Sequence, residues 1–298
     1  MKSSRKIAIV AIAVIALIGA IGGIFAIKSN RQANSNSKPR IVATTYAVVQ
    51  IADKLKLPLV GIPTTENQIP SRYQHVTKVG SPMSPSAEKI ANLHPTAVYS
   101  VDVLKDQFGK SFKEQHITPH FLNLSSVTAL EKTVIQMGNR YDRKAEATAA
   151  IDEIKDATAK AKKKAAKHKQ PVRVLVIMGL PGASYMIATN KSYVGNLVSL
   201  AGGKNVFKSN TQEYMQPNDE AIKKANPQVI LRLEHAMPDM VTKQFNSEFK
   251  SDPMWKQLSA VKNKRVHDLQ EPDFDATANM RVATALDKVS NWLYPSGE

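Results

Sequence analysis

Apolar residues in this chain follow two alternating rhythms. Short apolar, β-branched runs at 40–43, 57–62, 97–100, 121–123, 172–178, 229–233 and 266–269 predict strands. Stretches with apolar residues three and four apart predict helices at 44–56, up to Leu93, at 193–201 and at 277–293. Strands that alternate with helices imply parallel sheets and an α/β fold. The segment 127–169 is also helical in pattern, with Gly138 and Asn139 marking a break or kink. It exceeds what one small α/β lobe needs, so it reads as a helix bridging two lobes.

One segment occurs twice. Residues Pro85 to Val98 reappear as Pro217 to Ile230, with Pro85/Pro217, Glu88/Glu220, Ile90/Ile222 and Pro95/Pro227 in register. Each copy reads as a helix opened by proline at its first position, stopped by a second proline and followed by an apolar strand. Ser84 is the expected cap before Pro85. Two similar lobes enclose a cleft, and each carries a glutamate in the first turn of the repeated helix.

Before the first strand the pattern changes. Lys2, Arg5 and Lys6 precede an uncharged apolar run from Ile7 to Ile27. A helix of that run would span roughly 30 Å, about one bilayer core. No small-x-small cleavage site follows it, so an uncleaved signal anchor is expected, with the remainder outside the membrane. Residues 28–39 are polar and read as a flexible linker. The expected organisation is therefore anchor 1–27, linker 28–39, N-terminal α/β lobe 40–126, interlobe helix 127–170 and C-terminal α/β lobe 171–298.

Composition narrows the chemistry. The chain has 298 residues and no cysteine, which excludes disulfides, thiolate metal sites and thiol catalysis. Its formal net charge is +16. For an exported protein that suits an anionic surface or ligand rather than nucleic acid. The densest basic run, Lys162, Lys163, Lys164, Lys167 and Lys169, lies on a helix and reads first as a solvated face.

No nucleophile elbow, phosphate loop or zinc-protease motif appears, so no enzymatic activity is expected. An acid–base site around His267, Asp268, Asp273 and Asp275 is the rival reading. In α/β sheets ligands sit beyond the carboxyl ends of strands. His235 follows the strand 229–233, and Met83 lies between Pro82 and Pro85 just before the first repeated helix. The pair would face each other across the cleft. Imidazole plus thioether is uncommon for zinc and suits haem iron. Met215 stands at the repeat position of Met83, and Met237 lies two residues from His235, so either is an alternative sulfur donor. The helix start at Thr44, Thr45 and Tyr46 offers free N–H groups for haem propionates, and the Thr64–Thr65 loop adds more. Tyr46, Tyr73, Val48 and Met237 are candidates for an apolar slot.

Further motifs carry a resemblance. Val60-Gly61 with Pro63-Thr64, Gly80 with Pro82-Met83 and Pro85, Met178-Gly179 with Pro181-Gly182, Ala201-Gly202-Gly203 with Asn205-Val206, and Arg232-Leu233 with His235 and Met237-Pro238 together resemble the Isd-type haem receptors. These are substrate-binding components of haem ABC importers in Gram-positive bacteria, and the similarity covers about residues 40–295. The resemblance implies the helical-backbone metal-receptor fold (class III): two Rossmann-like lobes joined by one long rigid helix. It implies haem as the transported ligand with Met83 and His235 as axial ligands. It also implies that Glu88 and Glu220 dock onto the permease, which works with its ATPase and an upstream surface haem donor. A siderophore or corrinoid receptor of the same fold is the alternative. The family is typically lipid-anchored through a cysteine that this chain lacks, so the N-terminal helix is expected to tether it to the membrane.

Overall fold

The structure, a computed structural model, describes residues 38–182, 185–235 and 237–295. The expected anchor and nearly all of the linker lie outside these residues. Among the described residues no helix is long and apolar enough to cross a membrane. Arg40–Glu298 is one compact unit.

The N-terminal lobe is built on a parallel sheet. Strands β1 (Ile41–Ala43), β2 (Leu59–Ile62), β3 (Thr77–Lys78), β6 (Ala97–Val101) and β7 (His120–Leu122) lie in the order β3-β2-β1-β6-β7. β1 and β6 are central and fully buried, as expected of an apolar strand covered on both faces. Helices α1 (Tyr46–Lys54), α2 (Ala87–Asn92) and α3 (Lys105–Glu114) supply the crossovers. A small hairpin of β4 (Gly80–Ser81) and β5 (Ser84–Pro85) carries Pro82 and Met83 at its turn.

The C-terminal lobe has a mixed sheet. β8 (Arg173–Gly179), β12 (Val229–Glu234) and β13 (Val266–Leu269) run parallel, while β9 (Tyr185–Ala188) and β11 (Tyr214–Met215) are antiparallel additions, and β10 (Lys204–Asn205) pairs with β8. The sequence pattern missed β9, whose four residues lack a clear period and sit just before a turn. Helices α6 (Tyr193–Leu200), α7 (Asp219–Ala225) and α8 (Pro238–Ser251) cover this sheet. Short helices α9 (Pro253–Lys256) and α10 (Ser259–Lys262) follow α8. The last helix, α11 (Val282–Leu293), starts five residues later than expected.

The interlobe element was expected as a helical stretch with a break or kink at Gly138–Asn139. It is a helical hairpin, α4 (Val127–Arg140) and α5 (Lys144–Ala165), broken at 141–143 where Asp142 adopts φ +54°. Gly138 is not the break. It lies within α4, and a Cβ there would meet the Ala147 side chain at 2.6 Å, so glycine lets α5 fold closely back. At 22 residues, α5 is about 33 Å long and serves both lobes. Its first half pairs with the α1 region through Lys54–Glu153 at 2.6 Å and Lys56–Glu146 at 3.8 Å. Its last turns reach α11 through Lys160–Asp287 at 2.8 Å.

The repeated segment is also corrected in detail. The caps are Ser86 and Asn218, whose side chains accept from the N–H groups of Lys89 and Ala221. Each proline stands one residue before its cap rather than at the first helical position, and Ser84 is in β5.

One apolar core runs through both lobes: Ile41, Val48 and Tyr99 on one side, Val174, Leu197 and Val289 on the other, with Ile151 and Ile154 of α5 between. The chain also crosses back after β13. The N–H of Ala278 donates to Leu124 O at 2.7 Å, and that of Met280 to Gln50 Oε1 at 3.0 Å. A shared core opposes hinge bending, because opening the lobes would expose apolar surface to water.

Candidate functional site

The cleft lies where the fold predicts, beyond the carboxyl ends of β1, β6, β8, β12 and β13. A cavity of about 320 Å³ opens there between the lobes. Its N-terminal wall consists of Thr45, Tyr46 and Ala47 at the start of α1, Thr65 and Asn67, Pro82 and Met83, and the apolar residues Val101, Val103 and Leu104. Its C-terminal wall consists of Met178, Glu213, Tyr214 and His235, with Glu271 and residues 275–277. Met83 and His235, far apart in sequence, line the same cavity from opposite lobes.

Each is positioned differently. Met83 sits at the β4–β5 turn, 56% exposed, and its carbonyl accepts from Gln107 Nε2 at 3.2 Å. His235 follows the last residue of a strand buried throughout, so its backbone is fixed by the sheet. Burial holds its imidazole below the ordinary value, with the Glu271 carboxylate pulling partway back. The ring is therefore neutral at pH 7 and keeps a lone pair for a metal. His235 Nδ1 lies 3.9 Å from Asp275 Oδ1.

The cleft is electrostatically lopsided. Glu213, Glu271 and Asp275 all stand on the C-terminal wall. Burial pushes the Asp275 carboxyl up to about 7, reinforced by the Glu271 charge, while the Ala276 N–H opposes the shift. Burial also raises Glu213, reinforced by Asp102. The opposite wall has no carboxylate. It presents the start of α1, where first-turn N–H groups have no intrahelical acceptor. Thr45 precedes that helix without capping it, and its Oγ1 is buried with no hydrogen-bond partner. An unsatisfied hydroxyl beside a free helix start fits an anionic ligand group.

The structure brings Thr45, Tyr46, Thr65, Met83 and His235 together but leaves other expected residues outside. Thr44 is buried behind β1, its hydroxyl donating to Tyr99 O at 3.2 Å. Thr64 is exposed outside the cavity, and its N–H closes on Gly80 O. Tyr73 belongs to the N-terminal core. It is 2% exposed, its hydroxyl donates to Leu57 O at 2.6 Å, and burial pushes it up to about 12. Met237 is 59% exposed on a separate groove with Pro238 and Met240. Met215 packs against the outer core of the C-terminal lobe. Thr65 Oγ1 accepts from both the backbone N–H and the Nδ2 of Asn67.

Sequence reading also missed residues. Asn67 reaches across the cleft, its Nδ2 donating to Glu271 Oε2 at 2.6 Å. Glu213 gave no signal, since its role depends on which loops the fold gathers, and Asp275 was read only as part of the rival acid–base site rather than as a cleft residue. His267, the rival catalytic residue, is instead stacked on Trp292, with ring centroids 4.8 Å apart. Among the described residues no three His or carboxylate side chains converge on a metal position. Glu88 and Glu220 are exposed in the first turns of α2 and α7, and neither has an ion-pair partner among the described residues.

A two-lobed α/β receptor with its ligand cleft at the strand ends defines a solute-binding protein. The chain belongs to the periplasmic binding protein family, whose profile matches residues 41–272. It is 40% identical over 266 residues to the high-affinity heme uptake system protein IsdE of Staphylococcus aureus strain Newman, covering 89% of this chain and 91% of that protein. The crystal structure of S. aureus IsdE complexed with heme superposes with a TM-score of 0.82 at 40% identity, over 87% of this chain and 100% of that one. An ABC transporter substrate-binding protein from Listeria monocytogenes EGD-e does so with a TM-score of 0.81 at 40% identity, over 87% and 99%. These relatives serve transport, not catalysis.

Proposed function

We propose that this chain is the haem receptor of an ABC importer, held outside the membrane by its N-terminal segment. The observation that carries the reading is the shared cavity of Met83 and His235, one from each lobe, in a chain akin to a haem-bound relative. Iron is held between Met83 Sδ and the imidazole. Nδ1 lies on the Asp275 side, 3.9 Å from its Oδ1 and beyond direct hydrogen-bond reach, so Nε2 is the nitrogen left for iron. The propionates point toward the start of α1 and Thr45 Oγ1, away from the three carboxylates of the other wall. Val101, Val103, Leu104 and Tyr214 supply the apolar surface a porphyrin requires.

Delivery follows from the repeated helices. Glu88 and Glu220 project from the two lobes as a matched pair of exposed carboxylates and dock onto cationic side chains of the permease, which its ATPase drives. Haem arrives from a donor at the cell surface. Haemin titration followed by absorption, for the wild type, His235→Ala and Met83→Ala, tests the site. A saturable one-to-one, six-coordinate low-spin spectrum, altered in both variants, is expected. Wild-type spectra that do not saturate overturn the haem reading.

A further inference from the structure

The end of the folded unit opposite the cleft carries a second, larger groove of about 570 Å³ between α5 and α11. Lys160, Lys163, Lys164 and Lys167 line it from α5, facing Asp287 and Asn291 of α11. Asp287 is its one lining carboxylate, and Lys160 holds it at 2.8 Å and below the usual carboxylate range. Lys164 adds its charge to the same carboxylate and donates to Asn291 Oδ1, so Lys163 and Lys167 remain without an acidic partner in the groove, flanked by exposed Lys162 and Lys169.

Its place in the fold is fixed. The cleft is at the carboxyl ends of the strands, whereas the end of α5 packs at the amino end of β8. The His168 ring packs tilted against Tyr294 with centroids 4.5 Å apart, the Tyr294 hydroxyl donates to Gly202 O at 2.7 Å, and a Cβ on Gly202 would meet Ala165. Arg40, where the folded unit begins, precedes β1 and so lies at the amino end of the other sheet.

We propose that this lysine groove is a docking surface for anionic phospholipid headgroups. Clustered lysines recognise phosphate as point charges, and each near an anionic bilayer contributes several-fold to partitioning. Docked this way, the receptor rests on the membrane with its cleft facing outward, open to haem arriving from the cell surface. Docking through Glu88 and Glu220, at the cleft ends of α2 and α7, requires the opposite orientation, so lipid contact and permease contact alternate. The proposal rests on the reading of a membrane-tethered receptor.

The test uses residues 38–298, which hold the whole compact unit and none of the apolar N-terminal run. Partitioning onto vesicles of phosphatidylcholine with about 30% phosphatidylglycerol is measured by sedimentation without haem, so it is independent of any haem titration. Expected is binding to these vesicles, little to pure phosphatidylcholine, loss in high salt, and more than tenfold weakening in Lys163→Glu/Lys164→Glu/Lys167→Glu. Equal weakening by Lys78→Glu/Lys89→Glu/Lys243→Glu would mean that overall charge, not the groove, governs binding, and would overturn the proposal. So would binding to inorganic polyphosphate without binding to vesicles. An unchanged thermal transition in both triple variants confirms that they fold.

Discussion

The two walls of the cleft would offer the iron of the proposed haem very different partners. His235 emerges from a fully buried strand, its ring kept neutral by burial, with Asp275 Oδ1 3.9 Å from its Nδ1. Met83 rides a two-strand hairpin at the surface, more than half exposed, tied by one hydrogen bond to its carbonyl. As the proposed iron ligands, the first is pre-organised and the second adaptable. A receptor that must release its cargo gains from this asymmetry, since a weak, exposed thioether can leave first while the imidazole retains register.

Reversing charge on the two glutamates proposed for docking, at the cleft ends of α2 and α7, carries the largest expected effect. Glu88→Lys with Glu220→Lys abolishes haem uptake in cells and leaves the haemin titration unchanged. Equal partial losses in the single variants would mean that both lobes dock alike. Loss of haem binding would remove the docking role.

At the iron, His235→Ala is expected to weaken haemin affinity more than about 100-fold, above the range for outer-shell partners of metal ligands. Met83→Ala costs about tenfold, because the thioether is the weaker donor. Equal losses would break the comparison between walls.

Acid sharpens it. A proton on His235 competes with iron, and burial has lowered its pKa, so affinity is level above about pH 6.5 and falls as pH drops through the depressed value. The residual binding of His235→Ala should lack this step, which a haemin titration series between about pH 4.5 and pH 8.5, roughly two units either side of an ordinary histidine, would reveal.

Thr45→Val removes a hydroxyl without changing shape and should weaken haemin by about tenfold, the value of a hydrogen bond to a charged group. No change would move the propionates away from α1.

The smallest effect concerns stability. Asp275 has its folded pKa raised to about 7, so the folded state holds that proton more tightly than the unfolded chain. Its contribution is intact at low pH and is lost as pH rises toward and through about 7. Asp275→Asn should therefore melt a few degrees higher than wild type at about pH 8 and equally near pH 4. A constant difference across pH would assign the effect to packing instead.

Much of this was legible in the chain. The central strands announce themselves as apolar runs, because strands buried on both faces need them throughout. The repeat around Glu88 and Glu220 revealed two lobes, and residues after strand ends named Met83 and His235. Thr44 was misjudged because adjacent residues at a strand end point opposite ways: Thr45 faces the cleft and Thr44 the sheet. Tyr73 was misjudged because an aromatic in a loop reads the same whether it faces ligand or core. The helical break was placed at Gly138, where the glycine in fact serves a close helix contact.

Local pattern alone determined the α/β class, the two-lobed plan and the two iron-ligand candidates, because periodicity and strand-end position are properties of neighbours in sequence. The tertiary structure alone decided the fused core, the helical hairpin, the segregation of carboxylates to one wall, the Asn67–Glu271 bridge and the lysine groove. Each of these depends on which distant segments meet, and burial and charge take their values only after they do.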